Sequence, residues 1–228
     1  MTPLANGFDW RNFDAYLFDI DGTLLNSRDA VHYFAFHHAM REVFGRDISI
    51  DNVPVHGNTD IGILRAALNQ HGFSDDDFKR KLPDVLTIMR TEVDKNVAGM
   101  SPELCPNIPA LLEALRSADK LLGVTSGNLE FIAWHKLRAA GISDYFAFGS
   151  FSDQNELRKD IFAHGIVEAC HRLGPDARIC FVGDTPSDIQ AARVIGAPII
   201  AVATGIYSVE QLQEHSPDAC ISCCDELT

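Results

Sequence analysis

The chain has 228 residues, 46% of them hydrophobic and 22% charged, the mix of a globular protein with a sizeable core. Lys and Arg total 19 against 32 Asp and Glu, a net charge of −13. That balance argues against nucleic acid or an anionic membrane as a partner, while a small anionic ligand stays compatible, because local donors or a bound cation reverse the sign at one site.

Met1 to Asn12 shows neither the basic start nor the apolar run of a signal peptide. No later stretch approaches the ~20 apolar residues of a membrane span, so a cytoplasmic location is expected. The first apolar run, Ala15 to Asp19, ends abruptly in acid and glycine. From residue 27 to 104 the pattern turns helical. Phe36, Ala39, Met40 and Val43 form one stripe, and Ile61, Leu64 and Leu68 a second. Phe78, Leu82, Val85, Leu86, Met89 and Val93 form a third, with a kink or break expected at Pro83. Gly99 to Pro109 holds three prolines and reads as a return linker.

Strand and helix patterns then alternate. Ile108, Leu111, Leu112 and Leu115 mark one helix face, and Ile166, Ala169, Cys170 and Leu173 another. Thr185 and Pro186 suit the N-cap and first position of a further helix. Apolar runs at 120–125, 145–148, 178–182, 198–203 and 219–221 suit strands buried on both faces. The expected fold is α/β: a parallel sheet with helices on both faces, over 1–26 and 105–228, interrupted by a helical insertion over 27–104. Cys220, Cys223 and Cys224 follow His215 near the end. A zinc site there competes with the plainer reading of reduced thiols at a buried strand end.

The chemistry concentrates where strands end. Asp19 and Asp21 follow the first strand, and residues i and i+2 of an extended chain face the same way. Two carboxylates that close repel unless a cation joins them, and a hard ion such as Mg²⁺ prefers oxygen ligands. Gly22 permits a sharp turn behind them. Asp184 and Asp188 bracket another strand-to-helix turn. Ser126, Gly127 and Asn128 follow a third strand and offer a hydroxyl and backbone N–H groups to an anion, with Thr125 as a rival hydroxyl. Arg158 and Lys159, at a helix start, compete to supply a cation. Residues 57–60 read equally well as a substrate-touching loop or a plain helix cap. For His32, His37 and His38 a surface or packing role is expected.

These segments, in this order, resemble the haloacid dehalogenase superfamily of phosphatases, in its phosphoglycolate-phosphatase-like branch with a helical cap. The first motif is Asp19 to Thr23, the second Ser126, the third Arg158 or Lys159, and the fourth Gly183 to Asp188. The resemblance implies a Rossmann-like core, residues 27–104 as cap with hinges near 25–27 and 99–105, and a small phosphate ester as substrate. It implies Asp19 as nucleophile, giving an aspartyl-phosphate, and Asp21 as general acid and base with a raised pKa. Mg²⁺ would sit between Asp19, the backbone carbonyl of Asp21 and Asp184, with Asp188 orienting that shell. Ser126, Gly127, Asn128 and Lys159 or Arg158 would hold the phosphoryl oxygens. A mutase of the β-phosphoglucomutase type shares this machinery, though Thr23 stands where that family typically has Val. A non-catalytic phosphometabolite-binding regulator is the other alternative.

Overall fold

The computed structural model describes residues 7–27 and 29–227. Residues 1–6 and Thr228, assigned above to the sheet domain, and Arg28, assigned to the insertion, lie outside the described residues. Six short strands, β1 (Ala15–Phe18), β4 (Leu121–Thr125), β5 (Phe148–Ser150), β6 (Ile179–Gly183), β7 (Ile199–Val202) and β8 (Ala219–Ile221), form a parallel sheet in the order β5-β4-β1-β6-β7-β8. Strand periodicity divides each strand between two cores. Tyr16, Phe18, Leu122, Val124, Cys180 and Val182 join the cluster built with α4 (Ile108–Ser117) and α5 (Glu130–Ala139). Ala15, Leu17, Ile179 and Phe181 join that built with α6 (Arg158–Leu173) and α7 (Pro186–Val194). Both faces are therefore covered, which explains why these strands read as unbroken apolar runs. The chain leaves β1 toward β4 on one side and reaches β6 on the other. Their carboxyl ends thus flank a topological switch point, where open α/β sheets bind ligands.

Three helices, α1 (Val31–Phe44), α2 (Asp60–Gln70) and α3 (Asp75–Asn96), lie between β1 and β4 and bury an apolar cluster of their own, from Phe36 and Met40 to Met89 and Val93. The chain enters and leaves them through an antiparallel pair, β2 (Leu25–Ser27) and β3 (Pro102–Leu104), with Leu25 opposite Leu104. Part of the expected linker is thus a strand.

Three local expectations change. α3 runs through Pro83 without interruption. Pro83 and Lys79, whose carbonyl loses its helical partner, are both exposed, so water can replace the missing bond. The third strand is Phe148–Ser150 rather than 145–148, because Ser143–Tyr145 is a 3-10 turn and Phe146 instead packs edge-on against Phe18. The buried face of α6 is Ile161, Phe162, Gly165 and Ala169, while Leu173 is exposed. Gly165 lies where a Cβ would press on Thr125 and Leu17, so the helix meets the sheet through a missing side chain that an apolar count overlooks.

No helix among the described residues is long and apolar enough to cross a membrane. The terminal cysteines form no metal-ligand cluster among the described residues.

Candidate active site

Asp19, Ser126 and Asp184 each stand one residue beyond β1, β4 and β6, three adjacent strands. The Asp19 amide donates to the Val182 carbonyl at 2.9 Å, which ties the first strand end to the last. The chain then turns at Gly22, with φ +85°. A Cβ on Gly22, or on Gly205, would collide with the Asp184 carboxylate. Two missing side chains therefore make room for that acid. Its Oδ1 accepts from the Thr23 hydroxyl at 3.2 Å.

Asp188 plays two parts in the turn that starts α7. Its Oδ2 accepts from the Thr185 amide at 3.0 Å and hydroxyl at 2.6 Å, completing a capping box. Its Oδ1 accepts from Arg158 Nε at 2.6 Å, and Arg158 Nη2 reaches Asp19 Oδ2 at 2.6 Å. Arg158 is buried. Lys159, by contrast, points away, 48% exposed and 3.6 Å from Asp160. Of the two third-motif candidates, Arg158 is the one whose side chain reaches the acids at the strand ends.

Asp19, Asp184 and Asp188 present oxygens within 4.8 Å of one another. Three carboxylates surround one guanidinium. Burial pushes Asp19 up to about 7 against the pull of Arg158, with repulsion from Asp188 adding to it. Burial and the charges of Asp19 and Asp188 push Asp184 up to about 8. A carboxylate cluster with too little positive charge, made of hard oxygen donors, fits a divalent cation.

Asp21 lies in the opposite environment, and its carboxylate is not part of that group. Burial would raise its pKa, but Lys136 and Asn128 hold it below the ordinary carboxylate value, contrary to the expectation of a raised one. Lys136 Nζ lies 2.8 and 2.7 Å from its two oxygens. The Asn128 side-chain amide donates to Asp21 Oδ2 at 2.6 Å and to Ser126 Oγ at 2.9 Å. Asp19 and Asp21 line the same cavity, as their i, i+2 spacing predicts, but β1 ends at Phe18 and the turn at Asp21 carries its carboxylate out of the three-acid group.

Lys136 escaped the sequence reading. It lies on the buried face of α5 with Ile132, Ala133 and Leu137. A lysine interrupting an apolar helical stripe is the signal that could have found it, since a buried ammonium needs a partner.

Thr125, the rival hydroxyl, turns its methyl toward Gly165 of α6, leaving Ser126 at the site. Gly127 lies under the 57–60 loop, where a Cβ would strike Asn58 and Thr59, and its carbonyl accepts from the Asp60 amide at 2.7 Å. That loop therefore does more than cap α2, although Thr59 does accept from the Gly62 amide. Asp60 Oδ2 accepts from the Leu129 amide at 2.8 Å and pairs with His32 Nε2 at 3.0 Å. Arg65 grips Glu156 through two contacts of 2.6 Å. A cavity of about 450 Å³ opens between the helices and the sheet, with Asp19, Asp21, Lys136 and Arg158 on one wall and His32 and Phe36 on the other. His32 thus faces the cavity, stacked on Phe36, rather than serving only as packing. His37 stays against Tyr33 and His38 near Glu92, as expected.

A parallel α/β sheet with acids from two adjacent strand ends around one guanidinium, and a serine turn at the end of a third strand, is an arrangement suited to chemistry on an anionic group. Residues 13–196 match the model of the haloacid dehalogenase-like hydrolases, and the chain belongs to that family. It is an enzyme of the phosphoric monoester hydrolase class. The chain is 30% identical to a phosphoglycolate phosphatase of Agrobacterium fabrum over 210 residues, covering 90% of this chain and 86% of that one. A phosphoglycolate phosphatase of Mesorhizobium japonicum is 32% identical over 124 residues, about half of each chain (53% and 54%). The fold is shared with the crystal structure of β-phosphoglucomutase from Clostridium difficile, with a TM-score of 0.66, 20% identity, and coverage of 95% of this chain and 93% of that one.

Proposed function

We propose that the enzyme hydrolyses a small phosphomonoester of the phosphoglycolate type with Mg²⁺ as cofactor, in the cytoplasm, through an aspartyl-phosphate on Asp19. The opposed surroundings of Asp19 and Asp21 carry this reading. Two titratable groups whose environments push their pKa values apart mark different chemical roles.

Asp19, fixed at the strand end and oriented by Arg158, attacks phosphorus and is the nucleophile. Asp21 is the general acid and base. Paired with Lys136 it rests ionised, the form that accepts a proton from the hydrolytic water. Donating to the leaving alkoxide first requires a protonated carboxyl, and an arriving phosphate group raises its proton affinity by adding negative charge beside it. Ser126, the Gly127 amide, Asn128 and Arg158 border the place where the phosphoryl oxygens would sit. Mg²⁺ would be held by Asp19, the Asp21 backbone carbonyl and Asp184, with Asp188 orienting the set. Bound there, it would offset carboxylate–phosphate repulsion and stabilise charge on the phosphoryl oxygens.

Residues 27–104 would act as a cap hinged at the β2–β3 pair, and the Arg65–Glu156 and Asp60–Leu129 contacts hold it shut over the cavity. A screen of small phosphate esters tests the reading, with Mg²⁺ and with EDTA. Expected is metal-dependent phosphate release, strongest with short alkyl esters carrying a carboxylate. Metal-independent release, or none from any ester, would overturn it.

A further inference from the structure

We propose that Lys136 is a positioning residue for Asp21, setting from α5 where the acid–base carboxylate stands; this rests on the acid–base role given to Asp21 above. Asp21 lies on the turn after β1, and its side chain is 42% exposed, whereas that of Lys136 is 5% exposed on a packed helix. Without a partner, the Asp21 carboxylate would be free to sample rotamers toward solvent. An ammonium has three donors, and all three are used: two on Asp21, at 2.8 and 2.7 Å, and one on Asn128 Oδ1 at 3.0 Å.

The last contact also fixes the amide. Lysine can only donate, so Asn128 must turn its oxygen to Lys136 and its NH₂ to Asp21 Oδ2 and Ser126 Oγ. Lys136, Asn128 and Asp21 thus close a ring on the cavity wall, with Ser126 attached. No donor of Lys136 remains for a phosphoryl oxygen while the ring is intact. That separates it from Arg158, which binds Asp19 and Asp188 on the other side. The two buried cations divide the site: Arg158 serves the nucleophile, Lys136 the proton carrier. Lys136 acts through Asp21 and need not touch the substrate.

The test uses the full chain and two substrates, the alkyl ester phosphoglycolate and the aryl ester p-nitrophenyl phosphate. An alkoxide must be protonated as it leaves, whereas nitrophenolate leaves unaided. The ratio kcat/KM reports the steps up to loss of that group. Lys136→Met is expected to lower kcat/KM for the alkyl ester about 100-fold, and for the aryl ester by no more than about a tenth of that factor. Asp21→Asn should show the same contrast, and Lys136→Met should cost nothing further on the alkyl ester in the Asp21→Asn background. Lys136→Gln serves where the Met variant folds poorly, with recovery of the aryl reaction as the check on folding. Equal losses on both esters would make Lys136 a phosphate ligand or a purely structural residue, and overturn the proposal. So would a full second loss in the Asp21→Asn background. If Asp21→Asn itself shows no contrast between esters, the acid–base assignment fails and takes this inference with it. A contrast in Asp21→Asn without one in Lys136→Met defeats this inference alone.

Discussion

Asp19 and Asp21 are two residues apart and stand in opposite electrostatic settings. On the Asp19 side three buried carboxylates share one guanidinium, and the proton affinities of Asp19 and Asp184 rise to about 7 and about 8. On the Asp21 side one carboxylate has an ammonium to itself, and its proton affinity falls below the ordinary carboxylate value. The first half lacks positive charge, and the second is balanced. On the proposed reading, the contrast lets one short motif supply two roles: the underbalanced half would receive a cation and a phosphoryl group, and the balanced half would hold a proton carrier in place.

The comparison can be broken most severely at Asp19. Asp19→Asn should lower kcat by about four orders of magnitude, with the far-UV spectrum unchanged; near-normal turnover in a pure preparation would remove Asp19 as nucleophile. Removal of metal comes next: EDTA should abolish phosphate release and excess Mg²⁺ should restore it, as measured by a colorimetric phosphate assay. Third, Arg158→Met should cost about 10²–10³ in kcat/KM, while Lys159→Met, on the exposed side of the same helix start, should stay within about twofold of the parent. The reverse pattern, a large loss in Lys159→Met and little in Arg158→Met, would give the third-motif role to Lys159.

The smallest expected effect is on stability. Asp19 and Asp184 have folded-state values of about 7 and about 8, raised above the ordinary 3.8. The folded state therefore binds more protons than the unfolded one between those values. Their contribution is fully present below about pH 4 and is lost as pH rises through about 7 to 8. In EDTA, Tm should fall across that window, in which Asp21 adds no pH dependence because its value is lowered below 3.8. Mg²⁺ should raise Tm more at pH 8 than at pH 5 (both about). A metal effect that does not grow with pH would contradict the shared cation-seeking cluster.

Much of the sheet and the Asp19 half was legible in the sequence, because local rules govern them. Buried parallel strands read as apolar runs, and acids at strand ends are adjacent in sequence to those runs. Thr185, Pro186 and Asp188 announce their helix start through capping alone. What escaped depends on surfaces meeting across long separations. Lys136 lies 115 residues from Asp21, and only the packing of α5 brings them together. His32 faces the cavity because Asp60 and Phe36 hold it there, which its spacing on α1 does not state. The raised Asp21 pKa implied by burial and neighbouring carboxylates is reversed by Lys136 and Asn128, neither of whose contacts with Asp21 is visible in the sequence. The α6 stripe is only partly right: Ala169 is buried and Ile166 and Cys170 pack against the core, but Leu173 is exposed, and Gly165, whose missing Cβ lets the helix approach the sheet, has no hydrophobicity to count.

The most direct test is to trap the phosphoryl group. On the proposed roles Asp21→Asn should slow breakdown of an aspartyl-phosphate, so this variant is mixed with p-nitrophenyl phosphate and Mg²⁺, quenched in acid and digested for mass spectrometry. A nitrophenolate burst with the phosphoryl group on the peptide at Asp19 is the predicted result. A burst with the group on another residue, or on none, would contradict the account.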